Sequence, residues 1–130
     1  MKRTFYPFRP IQGDIVHTPI SSILMFLVAS VFGAVGQFLY KSGAEAASGG
    51  VMSYIANPRI VGGIGCYVAV MVLFVAAFKR GGSLTVLYPV YASTFIFASL
   101  ISYFAFGTPI KSVNIVGMGL IVGGMYFMGR

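Results

Sequence analysis

The sequence predicts an all-α integral membrane protein, with four transmembrane helices in a compact bundle that dimerises. Three observations carry that expectation. The 130-residue chain is 58% hydrophobic and only 8% charged, with a mean hydropathy of +0.90; a soluble domain of this size carries about 25% charged residues to solvate its surface. Apolar runs close to the length of a bilayer crossing, about 20 residues, recur along the chain, enough for four spans and one domain. Between these runs stand short clusters of Gly, Pro and basic residues, the punctuation expected of spans joined by loops.

Residues 1–19, MKRTFYPFRPIQGDIVHTP, read as a cytoplasmic or interfacial N-terminal arm. Pro7, Arg9, Pro10 and Asp14 interrupt any continuous apolar run, which excludes both a spanning helix and the core of a signal peptide. Phe5, Tyr6, Phe8, Ile11, Ile15 and Val16 suit the headgroup layer beside Lys2, Arg3 and Arg9, or contact with a partner subunit. The transmembrane domain, 20–130, follows, with spans expected at about 20–40, 60–78, 84–106 and 113–128. The longest connection is 41–59, whose Gly-Ala-Ser half is flexible and whose Val51–Ala56 part forms a short interfacial turn before Asn57-Pro58. Lys79–Gly82 makes a tight hairpin, and Gly107–Ser112, with Pro109 and Lys111, makes the last turn.

The informative positions lie inside the spans. Ser30–Gly43 combines a close-packing surface (Ser30, Gly33, Ala34, Gly36) with an amide, Gln37, at depth and a cation, Lys41, near the end. Lipid tails offer no hydrogen bonds, so Gln37 must face protein or a water-filled cavity. It either glues two helices together or, with Lys41, lines a cavity for a polar or anionic ligand; snorkelling to the interface is the plain alternative for Lys41. Pro89 lacks a backbone donor and is expected to kink the third span. Around it stand Tyr88, Tyr91, Ser93, Thr94, Ser99 and Ser102, of which Tyr88 and Tyr91 lie one turn apart and form a candidate cavity pair. Hydroxyls can also satisfy carbonyls one turn back, a structural role. The fourth span holds Gly119-Leu-Ile-Val-Gly123, and Gly117 and Gly124 extend its small-residue groove, fitting it for close helix packing within the chain or between chains.

No enzyme is expected. The sequence has no paired carboxylates, no metal-ligating cluster and no phosphate-cradling loop, and no cofactor is implied. His17 is the only histidine and Cys66 the only cysteine, so neither builds a site alone, and Cys66 has no intrachain disulfide partner. The net charge of +7 would point to nucleic acid on a soluble domain. Here the cations flank apolar runs, so anionic headgroups and topology account for them. With four spans, Lys2, Arg3, Arg9, Lys79, Arg80 and Arg130 fall on one side and Lys41, Arg59 and Lys111 on the other, which places both termini in the cytoplasm. The only acids, Asp14 and Glu45, lie outside the expected spans, so the buried carboxylate required for proton-coupled export of cations is missing.

Over about residues 20–128, the order of small residues Gly33 and Gly36, then Lys41, then Tyr88-Pro89, then a Gly-rich last span resembles the four-helix members of the drug/metabolite transporter superfamily. That group includes the small multidrug resistance exporters, whose essential glutamate in the first span would fall at Gly33 here. The chain is more similar to the small subunits proposed to flip undecaprenyl-phosphate aminoarabinose across the bacterial inner membrane. Val35-Gly36-Gln37 with Lys41, Leu87-Tyr88-Pro89 and the loop at Pro109 match their motifs. The resemblance implies a bundle paired with a copy of itself or with a sister subunit. By likeness to the exporters, Gly117, Gly119 and Gly123 would form the seam, and the first three spans would line the substrate chamber. It also implies a multi-pass protein of the bacterial inner membrane.

The functional expectation is a transporter or flippase subunit that moves a lipid-linked, phosphate-bearing substrate, a polyprenyl-phosphate sugar, by alternating access. Gln37, Lys41, Tyr88 and Tyr91 would meet the headgroup, and Pro89 would supply the hinge. Two alternatives stand beside it. One is an exporter of small cations or metabolites; the other is a non-transporting membrane subunit that anchors or positions a glycosyltransferase through its N-terminal arm.

Overall fold

The computed structural model describes residues 17–130, all of whose regular structure is helical. The elements are α1 (Ile20–Ala46), α2 (Val51–Ile55), α3 (Pro58–Arg80), α4 (Leu84–Tyr91), α5 (Thr94–Phe106) and α6 (Ser112–Met128). Three stretches, Ile20–Ala46, Pro58–Arg80 and Leu84–Phe106, are long and apolar enough to cross a membrane. The chain therefore has the build of a multi-pass helical membrane protein. Of the expected arm, residues 1–16 lie outside the described residues; Thr18, at its end, accepts a hydrogen bond from the Ser83 N–H at 3.1 Å.

The first helix runs further than the sequence pattern indicates. Lys41–Ala46, read from sequence as loop, continues α1 to 27 residues, about 40 Å at 1.5 Å per residue. Two features support the extension. Lys41 and Glu45 sit at i,i+4 spacing with Nζ and Oε1 4.0 Å apart, and the start of α3 caps the helix end. Asn57 Nδ2 donates to the Gly43 carbonyl at 3.0 Å, beside the Ala47 N–H, and Arg59 donates to the Ser42 carbonyl at 3.3 Å, which ties the last turns of α1 to the start of α3. The Asn57 side chain also accepts from the Arg59 N–H, with Pro58 in the first turn, so α3 starts two residues earlier than hydropathy alone places it. It ends two residues later, at Arg80, where Gly81 and Gly82 adopt φ values of +102° and +132° that favour glycine.

α1 and α3 pack antiparallel along their lengths. Hydrocarbon supplies no hydrophobic force between helices, so this contact depends on close approach and dispersion. Its devices follow in order. Ser22 Oγ lies 3.1 Å from the Ala77 carbonyl and 2.8 Å from the Gly81 carbonyl. Phe26, fully buried, stacks on Phe74 with centroids 4.3 Å apart. Further along, the Tyr40 and Tyr67 rings stack at 5.4 Å, each lying over a glycine of the opposite helix. A Cβ on Gly36 would come within 2.9 Å of the Tyr67 ring, and one on Gly63 within 2.6 Å of Tyr40.

The third crossing is broken. Pro89 lies in α4, the helix stops at Tyr91, and after the Ala92–Ser93 turn α5 begins. Tight i→i+3 bonds bridge the break, from Ala92 N–H to Pro89, Ser93 N–H to Val90 and Phe95 N–H to Ala92. α1 meets both halves: Ser30 and Ser93 hydroxyls lie 2.8 Å apart in the buried seam, and Gly33 admits Tyr91, whose hydroxyl would be 2.6 Å from a Cβ there.

The last helix departs from the compact four-helix bundle. α6 rests chiefly on α4, and none of its residues is buried. At Gly117, Gly119, Gly123 and Gly124 an added Cβ would meet nothing within 4 Å, so the glycine groove packs against no described residue of its own chain.

Candidate functional site

On α1, Ala34, Gln37, Phe38 and Lys41 recur at three- and four-residue steps and so share a face. On α5, Ala98, Ile101, Ser102 and Phe106 do the same. The two faces meet around a cavity of about 140 Å³ lined by all eight residues. Small residues, Ala34 and Ala98, hold the space open on opposite walls, and Phe38 and Phe106 close the end, centroids 5.6 Å apart. Lys41 Nζ stands 4.3 Å over the Phe106 ring, where the negative face of the ring attracts it. The Lys41 side chain keeps about half its exposure and Gln37 is exposed, so both heads remain available to a ligand. Glu45 competes for the ammonium only weakly, since an exposed pair of this kind is worth about 0–1 kcal/mol.

Tyr88 and Tyr91 are elsewhere. They lie on α4 and meet the Phe74 ring with centroids 6.0 Å and 5.0 Å away, and Tyr88 also reaches Phe26 at 6.2 Å. Neither lines the cavity of Lys41. The structure thus joins Gln37 with Lys41 and joins Tyr88 with Tyr91, but it divides the four into two places. The tyrosines form part of the aromatic packing at Phe26 and Phe74. Gly33, the position equated with the exporters' glutamate, faces Tyr91 and the buried Thr94; a larger side chain there requires both to shift.

Residues that the sequence does not assign to the site are Ala34, Phe38, Ala98, Ile101, Ser102 and Phe106. Ser102 was visible as one of the hydroxyls of the third span. Phe106 carries no sequence signal, because its role comes from standing opposite Lys41 across the α1–α5 contact. A second, larger cavity of about 310 Å³ adjoins the first and shares Ala98 and Ser102 with it. Among the described residues no cluster of His, Cys, Asp and Glu could hold a metal ion.

What the arrangement can do is limited and specific. A cation and an amide stand side by side at one end of a spanning helix, in a cleft whose remaining wall is largely apolar. That combination has the chemistry to suit an anion with an apolar extension. Comparison with protein-family models, curated proteins and solved structures returned no match.

Proposed function

We propose that this chain is a transporter or flippase subunit for a lipid-linked, phosphate-bearing substrate of the polyprenyl-phosphate sugar class. The observation that carries the reading is the shared cavity of Gln37 and Lys41 between α1 and α5. A phosphate there receives charge-assisted hydrogen bonds from Lys41 and an amide donor from Gln37. The apolar walls and the open flank of the cleft let a lipid tail stay in the bilayer. The break at Pro89 and Ala92–Ser93 lets α4 swing relative to α5, the kind of discontinuous helix on which alternating access depends.

In this reading α6, 17 residues and apolar, is the fourth crossing, at the short end of the usual range of about 17–25 residues. Both termini then lie in the cytoplasm of a bacterial inner membrane, and Lys41 works near the opposite face. The bare glycine groove of α6 favours assembly with a second copy or a sister subunit, because close helix approach is the use small residues have in a bilayer. The likeness to the small aminoarabinose-flippase subunits agrees with both features. Tyr88 and Tyr91 serve the hinge rather than the phosphate.

The test is binding of polyprenyl phosphate to the full chain in lipid nanodiscs. Lys41→Ala is expected to weaken it by about 10- to 100-fold, the loss of a hydrogen bond to a charged group. Unchanged affinity removes Lys41 from the site. Saturable uptake of a quaternary ammonium ion into vesicles, indifferent to polyprenyl phosphate, would instead establish the small-cation exporter.

A further inference from the structure

The larger cavity beside the Lys41 cleft has a chemistry of its own. It lies between the end of α5, the Thr108–Ile110 turn and the start of α6. Its polar side chains are Ser99, Ser102, Thr108 and Asn114, and its apolar wall includes the Phe95 ring. Its volume of about 310 Å³ is at the lower end of small-molecule sites, roughly 300–1,000 Å³. Two of the polar groups are already oriented. Ser99 Oγ donates to the Phe95 carbonyl at 2.8 Å, which leaves its lone pairs to accept. Asn114 Oδ1 accepts from the Lys111 N–H at 3.0 Å, which leaves its NH₂ to donate.

We infer that this cavity receives an uncharged, hydroxyl-rich headgroup while the adjoining Lys41 cleft holds the phosphate; the inference rests on the phosphate reading of that cleft. A sugar hydroxyl both donates and accepts, matching a lining that offers hydroxyls and an amide. Phe95 presents an apolar face for the C–H side of a sugar ring. The shared border at Ala98 and Ser102 places ring and phosphate as immediate neighbours, as one covalent glycosyl phosphate requires. Among the described residues no ionisable side chain lines the larger cavity, and no carboxylate lines either one. Glu45, the one acid among the described residues, stands at Lys41 instead. The described lining offers a protonated amine no carboxylate to replace the hydration it gives up on contact, a loss that a neutral hydroxyl recovers from the hydroxyls and the amide. The pocket therefore selects a neutral sugar over an amino sugar.

The experiment uses the full chain in nanodiscs and three probes: bare polyprenyl phosphate, the same lipid carrying a neutral hexose, and the same lipid carrying an amino-pentose. Native mass spectrometry reads the three affinities. The neutral glycolipid is expected to bind about 10-fold more tightly than the bare lipid, the return on one or two net hydrogen bonds, and the amino-sugar lipid no more tightly than the bare one. Asn114→Asp keeps the oxygen that accepts from Lys111 and adds a carboxylate, so the ratio of amino-sugar to neutral-sugar affinity should rise about 10-fold. Ser102→Ala should lower the advantage of the neutral sugar over the bare lipid. If the wild-type chain binds the amino-sugar lipid as tightly as the neutral one, or binds bare and hexosyl lipids equally, the headgroup pocket is overturned while the Lys41 cleft stands. If none of the three binds, the phosphate reading itself fails, and this inference with it.

Discussion

Two glycine-bearing surfaces of this chain look alike in sequence and differ completely in place. In α1 and α3, Gly36 and Gly63 lie under the Tyr67 and Tyr40 rings, and a methyl group at either position would collide with them. In α6, Gly117, Gly119 and Gly123 face open space. The first pair builds the α1–α3 seam; the second set meets no described residue of its own chain. Small residues permit close approach, but only a partner with a ridge of the right shape turns permission into packing.

That contrast can be broken most sharply at Gly63. Gly63→Leu drives a branched side chain into Tyr40 and the α1 backbone, where the Gly36 carbonyl oxygen lies 3.1 Å from a Cβ at this site. The expected loss is about 3 kcal/mol or more, at the upper end of overpacking costs. It would be seen as loss of monodisperse protein in mild detergent or a collapse of the thermal midpoint. Full retention of the midpoint would disprove the close α1–α3 seam.

Phe26→Ala should come next. Phe26 is fully buried against Phe74, Phe78 and Tyr88. In lipid the change forfeits dispersion contacts and leaves a void, without the full transfer term a soluble core would lose, so about 2 kcal/mol is expected. Reversible unfolding in mixed micelles would measure it. Ser93→Ala removes the hydroxyl beside Ser30 in the same seam, and interhelical hydrogen bonds in membranes average about 0.6 kcal/mol. A small shift, comparable to that of Ser30→Ala, is the expected outcome of the same measurement.

The smallest effect on the single chain belongs to Gly119→Leu, at a position where an added Cβ meets no described residue within 4 Å. Helicity and monomer stability should stay within about 0.5 kcal/mol of the parent, as for surface changes. Oligomeric state, read by crosslinking in bilayers, is where the variant should act. A stability loss like that of Gly63→Leu would show that α6 packs into the bundle after all.

The sequence by itself determined the class of the molecule. A bilayer admits only helices and closed barrels, and apolar runs of about 20 residues, twice the length of a barrel strand, leave the helix. The hairpin at Gly81 and Gly82 was equally legible, because tolerance of a positive φ is a property of glycine itself. The ends of α1 and α3 were not. They depend on Asn57 and Arg59 reaching back to Gly43 and Ser42, a contact between segments that no local pattern encodes. The candidate site divides in the same way. Gln37 and Lys41 stood out because polar groups in an apolar run need a reason. Their distance from Tyr88 and Tyr91, the role of Phe106 and the second cavity at Asn114 were decided only when α1 met α5 and α6 stood away. Tertiary structure alone sets such pairings, since they depend on which faces meet, and periodicity says only that a face exists.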